Sequence, residues 1–183
     1  ASSKTVEEGR LPTMEIIRGN SGLRFKTRDI DTLREAVTAA QYGKENRDLT
    51  VYYLYGASGA GKTRSIYQAH PAGDICRITD YGGKNGVRFD AYHGQPVLVL
   101  EEFYSQIPIE TMLNLLDIYP LTLPARYSDR IACYTTVYLT SNIPLEAQYP
   151  DIQRYKSETW RAFLRRIHVV RESGGWHDTG GHL

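Results

Sequence analysis

Gly56, Ala57, Ser58, Gly59, Ala60, Gly61, Lys62 and Thr63 stand between a run rich in β-branched and aromatic residues, 49–55, and a stretch of helical character, 63–69. The order G-x-x-x-x-G-K-[ST], placed between a strand and a helix, is that of a loop that cradles phosphates. Glycines let successive backbone N–H groups turn inward around an anion. The helix that follows adds its N-terminal donors and the positive end of its dipole. Lys62 then reaches the β- and γ-phosphates of a nucleoside triphosphate, and the Thr63 hydroxyl ligates Mg²⁺. The bland alternative is a glycine-rich turn without a ligand; the complete motif in its strand-to-helix setting argues against it.

Two acids, Glu101 and Glu102, close the apolar run 96–100. Continuous apolar runs of this length suit a buried parallel strand. Carboxylates at the C-terminal edge of a parallel sheet face the crevice where ligands bind. We assign Glu101 to Mg²⁺ and Glu102 to activation of the attacking water. Thr140, Ser141 and Asn142 end another apolar run, 134–139. A polar residue there could touch the γ-phosphate, but Ser, Asn and the following Pro144 also favour a plain turn. Spacing alone leaves both open.

These residues need a scaffold. Strands are expected at 49–55, 75–79, 96–100, 134–139 and 167–170, and helices at 29–42, 63–69, 109–119 and 157–165. Asp29 or Asp31 is a possible cap for the first helix, which puts Ile30, Leu33, Ala36 and Val37 on one face. Residues 80–95 read as loop. Strands alternating with helices imply an α/β fold with a parallel sheet. The 183 residues carry 41% apolar and 23% charged residues and a formal charge of +1. These values suit a soluble, non-secreted globular chain, and no global basic field announces nucleic acid. No apolar run approaches the roughly 18 residues needed to cross a bilayer. Cys76 and Cys133 read as two buried thiols, and His177 and His182 as solvated residues of a Gly-rich tail.

The stretches "GASGAGKT", "YHGQPVLVLEEFY", "LLDIYPLTL", "VYLTSN" and "LRRI" occur in this order over about residues 45–170. In order and spacing the chain resembles the superfamily 3 helicase domain of Rep replication initiators from circular single-stranded DNA viruses and related plasmids. The resemblance implies an AAA+-like P-loop NTPase, a parallel sheet flanked by helices, that hydrolyses ATP with Mg²⁺. It makes 56–63 the Walker A motif, Glu101 and Glu102 the Walker B motif, and Asn142 the motif C sensor of the γ-phosphate. Arg126 and Tyr127 fall on a hairpin that carries a basic residue to DNA; the family commonly shows a Lys followed by glycines there. Arg165 and Arg166 fall at the arginine finger, with a slight preference for Arg166.

The same resemblance implies a homo-oligomeric ring, usually a hexamer, on single-stranded DNA. It divides the chain into a linker or arm at 1–20, a helical oligomerisation segment at 21–46, an ATPase domain at 47–172 and a flexible tail at 173–183. Initiators of this kind also carry an N-terminal nicking endonuclease domain. Nothing here matches its His-rich metal motif and nucleophilic Tyr, and the expectation is that this fragment omits it. The expected compartment is the host nucleus for a viral source and the cytoplasm for a bacterial one. Rival functions are a nucleotide-gated P-loop assembly without helicase activity and a small-substrate kinase. The kinase reading does not account for Asn142 or the 121–130 hairpin.

Overall fold

The computed structural model describes residues 27–174. The arm at 1–20, the first residues of the 21–46 segment, and His177 and His182 lie outside the described residues. Helix α1, Thr27–Tyr42, leads into strand β1, Thr50–Tyr55, and then into α2, Lys62–Ala69. Strands β2, Ile75–Ile78, and β3, Val97–Leu100, follow. Helix α3, Ile109–Leu115, precedes a small hairpin of β4, Thr122–Leu123, and β5, Arg130–Ile131. Strand β6, Thr136–Ser141, helices α4, Pro150–Tyr155, and α5, Ser157–Arg166, and strand β7, Val169–Glu172, complete the described chain.

Five strands form one sheet in the order β2-β3-β6-β1-β7, every pair parallel. β3 is buried on both faces, which is why it reads as an unbroken apolar run. Leu98 and Leu100 join Val51, Tyr53, Val137 and Leu139 in the larger core. Val97 and Val99 face the opposite side with Leu54, Tyr138 and Ile66 of α2. Burial of each such side chain is worth about 1.5–3 kcal/mol. A parallel sheet flanked by helices, with a phosphate-type loop leaving β1, is the α/β P-loop architecture that was expected.

Several boundaries differ from expectation for identifiable reasons. α3 stops four residues short of Tyr119. The buried Arg47 takes the carbonyls beyond its end: its N–H donates to Ile118 O at 2.7 Å and its Nη2 to Asp117 O at 2.5 Å. The same guanidinium lies 4.4 Å over the Tyr134 ring. Arg47 Nη1 also donates to Tyr134 O at 3.3 Å, and β6 begins two residues later than expected and runs on through Thr140 and Ser141, both buried. α4 was not anticipated; its six residues are too few to show a period. β7 sits two residues later than expected. Ser173, assigned to the tail, continues its pairing by donating to Tyr55 O at 2.7 Å. Leu33, expected on the apolar face of α1, is 46% exposed. Ile30 of that helix is buried as expected, and polar contacts also tie the helix down: Arg34 pairs with Asp74 at 2.6 Å, and Glu35 with Arg130 of β5.

Candidate nucleotide site

Because all five strands run the same way, the segments leaving β1, β3 and β6 emerge on one edge of the sheet. β6 lies between β1 and β3, so Asn142 falls between the glycine loop and the two acids. Lys62 Nζ donates to Gly56 O at 2.7 Å, Ala57 O at 2.9 Å and Asn142 Oδ1 at 3.2 Å. The Thr63 hydroxyl donates to Glu101 Oε1. Residues 58–64 with Glu101, Glu102, Thr140 and Asn142 enclose a cavity of about 310 Å³. A second cavity, of about 670 Å³, meets it across Ala60 and Gly61 and is lined by Tyr52, Ser65, Gln68, Tyr138 and Glu172 among others.

Two glycines of the loop have particular reasons. Gly56 has φ 143°, and a Cβ on it would meet Ser173 O at 2.3 Å, so the end of β7 leaves no room for a side chain. Gly61 has φ 84° at the N-cap of α2, where the chain turns into the helix. Partial burial lowers the Lys62 pKa, and Glu101 and Glu102 act against that shift.

The two acids occupy unlike environments. Glu101 is buried and both carboxylate oxygens are engaged, Oε1 by Thr63 and Oε2 by Arg77 Nη2 at 2.8 Å. Its backbone carbonyl accepts from the Tyr81 hydroxyl. Glu102 is exposed and sits at φ 50°, a left-handed conformation that costs a non-glycine residue on the order of 1–3 kcal/mol. Thr140 Oγ1 accepts from the Glu102 N–H at 3.2 Å, and Gln106 Nε2 donates to the Glu102 carbonyl at 2.6 Å. The strained turn is thus held from β6 and from its own loop, and Glu102 lines the cavity.

Beneath this edge lies a polar residue that the sequence did not flag. Gln148 is fully buried, and its Nε2 donates to Tyr53 OH at 2.8 Å, Phe103 O at 3.0 Å and Ser141 Oγ at 3.2 Å. Its Oε1 accepts from Ser105 Oγ at 2.6 Å. One side chain therefore joins β1, the turn after β3 and the end of β6, the three segments that carry the site. Arg77, Tyr81 and Gln148 carried no signal in the sequence because each acts through a partner on a different strand.

The remaining candidates lie elsewhere. Arg126 and Tyr127 are both exposed in the connection between β4 and β5, with the guanidinium 5.5 Å from the Tyr127 ring centroid. Asp90 Oδ1 accepts from the Arg126 N–H at 2.5 Å, and the Phe89 N–H donates to Pro124 O at 2.9 Å. Arg166 pairs with Asp117 at 2.8 Å and donates to Ala162 O at 2.9 Å, whereas Arg165 is exposed. Cys76 and Cys133 are buried free thiols, as expected, and burial pushes Cys76 up to about 12. Among the described residues, no helix is long and apolar enough to cross a membrane.

The chain is similar to replication-associated proteins of circoviruses. It is 32% identical to that of Beak and feather disease virus over 111 residues, 60% of this chain and 36% of the relative. It is 27% identical to that of goose circovirus over 133 residues, 73% of this chain and 40% of the relative. The matched stretch thus spans well under half the length of either relative. No family model matches the chain. Among solved structures, the S. cerevisiae Hsp104–ADP complex aligns at a TM-score of 0.45 and 16% identity, over 91% of this chain and 30% of that chain.

Proposed function

We propose that the chain carries a helicase-like domain of the Rep superfamily 3 kind, as its similarity to circovirus replication-associated proteins supports, and that it is the ATP-driven DNA motor of a rolling-circle replication initiator, working as a ring on single-stranded DNA. The observation that carries this reading is the convergence of separate motifs on one cavity. Lys62 touches Asn142 and Thr63 touches Glu101, so the lysine and hydroxyl of the loop each reach the end of another strand.

In this reading Lys62 and the loop N–H groups hold the β- and γ-phosphates of ATP, and the nucleoside half extends toward the cavity beyond Ala60 and Gly61. Thr63 and Glu101 offer two hard oxygen donors and leave other positions to water and phosphate, a donor set that fits Mg²⁺. When bound there, the ion neutralises charge on the β- and γ-phosphates. Glu102, exposed on the cavity, takes a proton from water as its oxygen bonds to the γ-phosphorus. The bond to the β–γ bridging oxygen breaks, and ADP leaves with the electron pair. Asn142 orients the γ-phosphate and that water. A neighbouring subunit supplies the arginine finger. Arg165 is the better placed of the two, because Arg166 is held by Asp117 and Ala162 within its own chain. Arg126 on DNA phosphate and Tyr127 on a base form the contact with the strand. α1 lies within the segment assigned to ring assembly.

The test is ATP turnover with and without single-stranded DNA, read together with oligomeric state by native mass measurement. The expected result is a DNA-stimulated ATPase in a ring. Lys62→Ala should lower turnover by at least about a hundredfold, the scale of losing one preorganised charge-stabilising donor. Retained turnover in that variant would remove the central claim. Turnover driven by a small acceptor would point to a kinase, and ATP binding without DNA stimulation to a nucleotide-gated assembly.

A further inference from the structure

We propose that Arg77 is a positioning residue for the Glu101 carboxylate: it holds Oε2 so that Oε1 stays on Thr63, where the metal of the nucleotide complex is taken up. The inference rests on the nucleotide-site reading above and extends it to a residue on a strand that carries none of the motifs.

The geometry comes from strand pairing. β2 lies beside β3 in parallel register, with Arg77 opposite Val99 and Ile78 opposite Leu100. The Glu101 N–H donates to Ile78 O at 3.0 Å, so the pairing continues one residue past β3. Arg77 sits on the exposed side of this edge strand, its side chain 45% exposed, and reaches across to a carboxylate that is 8% exposed. A carboxylate this buried needs its lone pairs filled. Thr63 alone fills one oxygen and leaves the group free to turn about its last bond. The second hydrogen bond, on the other oxygen, removes that freedom. Tyr81 fixes the main chain from the same side through the Glu101 carbonyl.

Two effects of removing Arg77 oppose each other. Losing a positive charge near the metal position would tighten cation binding by about threefold, since the guanidinium is half exposed and screened. Losing the hydrogen bond that orients a ligand costs about tenfold to a hundredfold in metal affinity or activity. Orientation therefore wins, and the net change is a loss.

The experiment compares wild type, Arg77→Ala and Arg77→Lys, with melting temperatures measured first. Two readouts are taken: steady-state ATP turnover, and Mn²⁺ binding by electron paramagnetic resonance with a non-hydrolysable ATP analogue. Arg77→Ala is expected to lose about tenfold or more in kcat and in Mn²⁺ affinity, with KM for ATP moving less than about threefold. Arg77→Lys, which keeps a donor and the charge, is expected to recover most of that loss. If the Ala variant does not fold, the same two readouts on Arg77→Gln decide, since Gln keeps a donor without the reach and is expected to show the same loss. Wild-type kcat and Mn²⁺ affinity in a folded Ala or Gln variant would overturn the proposal and leave the nucleotide site standing. A wild-type chain that neither turns over ATP nor binds Mn²⁺ with the analogue would overturn the site reading itself.

Discussion

Glu101 and Glu102 are adjacent and chemically alike, yet the fold gives them different surroundings. Glu101 has both carboxylate oxygens occupied and is shut away from bulk water, which suits a fixed ligand. Glu102 stands exposed on the cavity at a strained φ of 50°, which suits a group that must meet a water molecule. Adjacent residues of a strand point to opposite faces, but both acids here serve one cavity because the chain turns sharply at Glu102. Glu102→Gln is therefore expected to bind ATP within about threefold of wild type while hydrolysis falls by at least about a hundredfold, the usual scale of a general base. Nucleotide binding by fluorescence and phosphate release check the two halves separately. Loss of binding with the Gln variant would mean that the roles of the two acids are exchanged.

At the scale of elements, the connection between β4 and β5 is where the most is asked of the fewest residues. The two-residue strands are pinned from outside: Arg130 pairs with Glu35 of α1, Phe89 donates to Pro124 O, and Asp90 accepts from the Arg126 backbone. Arg126 and Tyr127 are thus presented on a supported tip. Arg126→Ala should weaken single-stranded DNA binding and reduce the slope of log affinity against log salt by about 0.7 for each phosphate that the side chain no longer neutralises. Fluorescence anisotropy across a salt series measures it, and an unchanged slope would place the DNA elsewhere. The hairpin could be expected from the family resemblance, but its supports could not. Asp90 and Glu35 lie far from it in sequence, and single charged residues in loops have no period to betray a partner.

For the whole molecule, the cavity within one chain is lined by Lys62, Glu101, Glu102 and Asn142 but, among the described residues lining it, by no arginine beyond Arg64 of the loop's own helix. The finger, in the proposed reading, comes from another copy. Arg165 is exposed for that role while Arg166 braces α5 against Asp117. Arg165→Ala alone and Lys62→Ala alone should each be inactive. Mixed subunits of the two variants should regain turnover, because some interfaces then pair an intact Lys62 with an intact Arg165. Absence of recovery, with mixing confirmed by mass, would mean that the finger is not Arg165 acting between subunits; the same mixing with Arg166→Ala tests its neighbour.

The glycine loop, the buried β3 and the pair of acids were readable without coordinates, since each is a local pattern: a fixed motif between two elements, or an apolar run closed by charge. The parallel α/β class followed from their alternation. The end of α3 and the start of β6 were not readable: the segments beside them are held by Arg47, seventy residues and more away in sequence, through the Asp117, Ile118 and Tyr134 carbonyls. Asn142 illustrates the division most clearly. Its sequence context left a sensor and a turn equally open. The order β3-β6-β1 brings it within 3.2 Å of Lys62, a distance that depends on which strands become neighbours and so on the packing of the whole sheet.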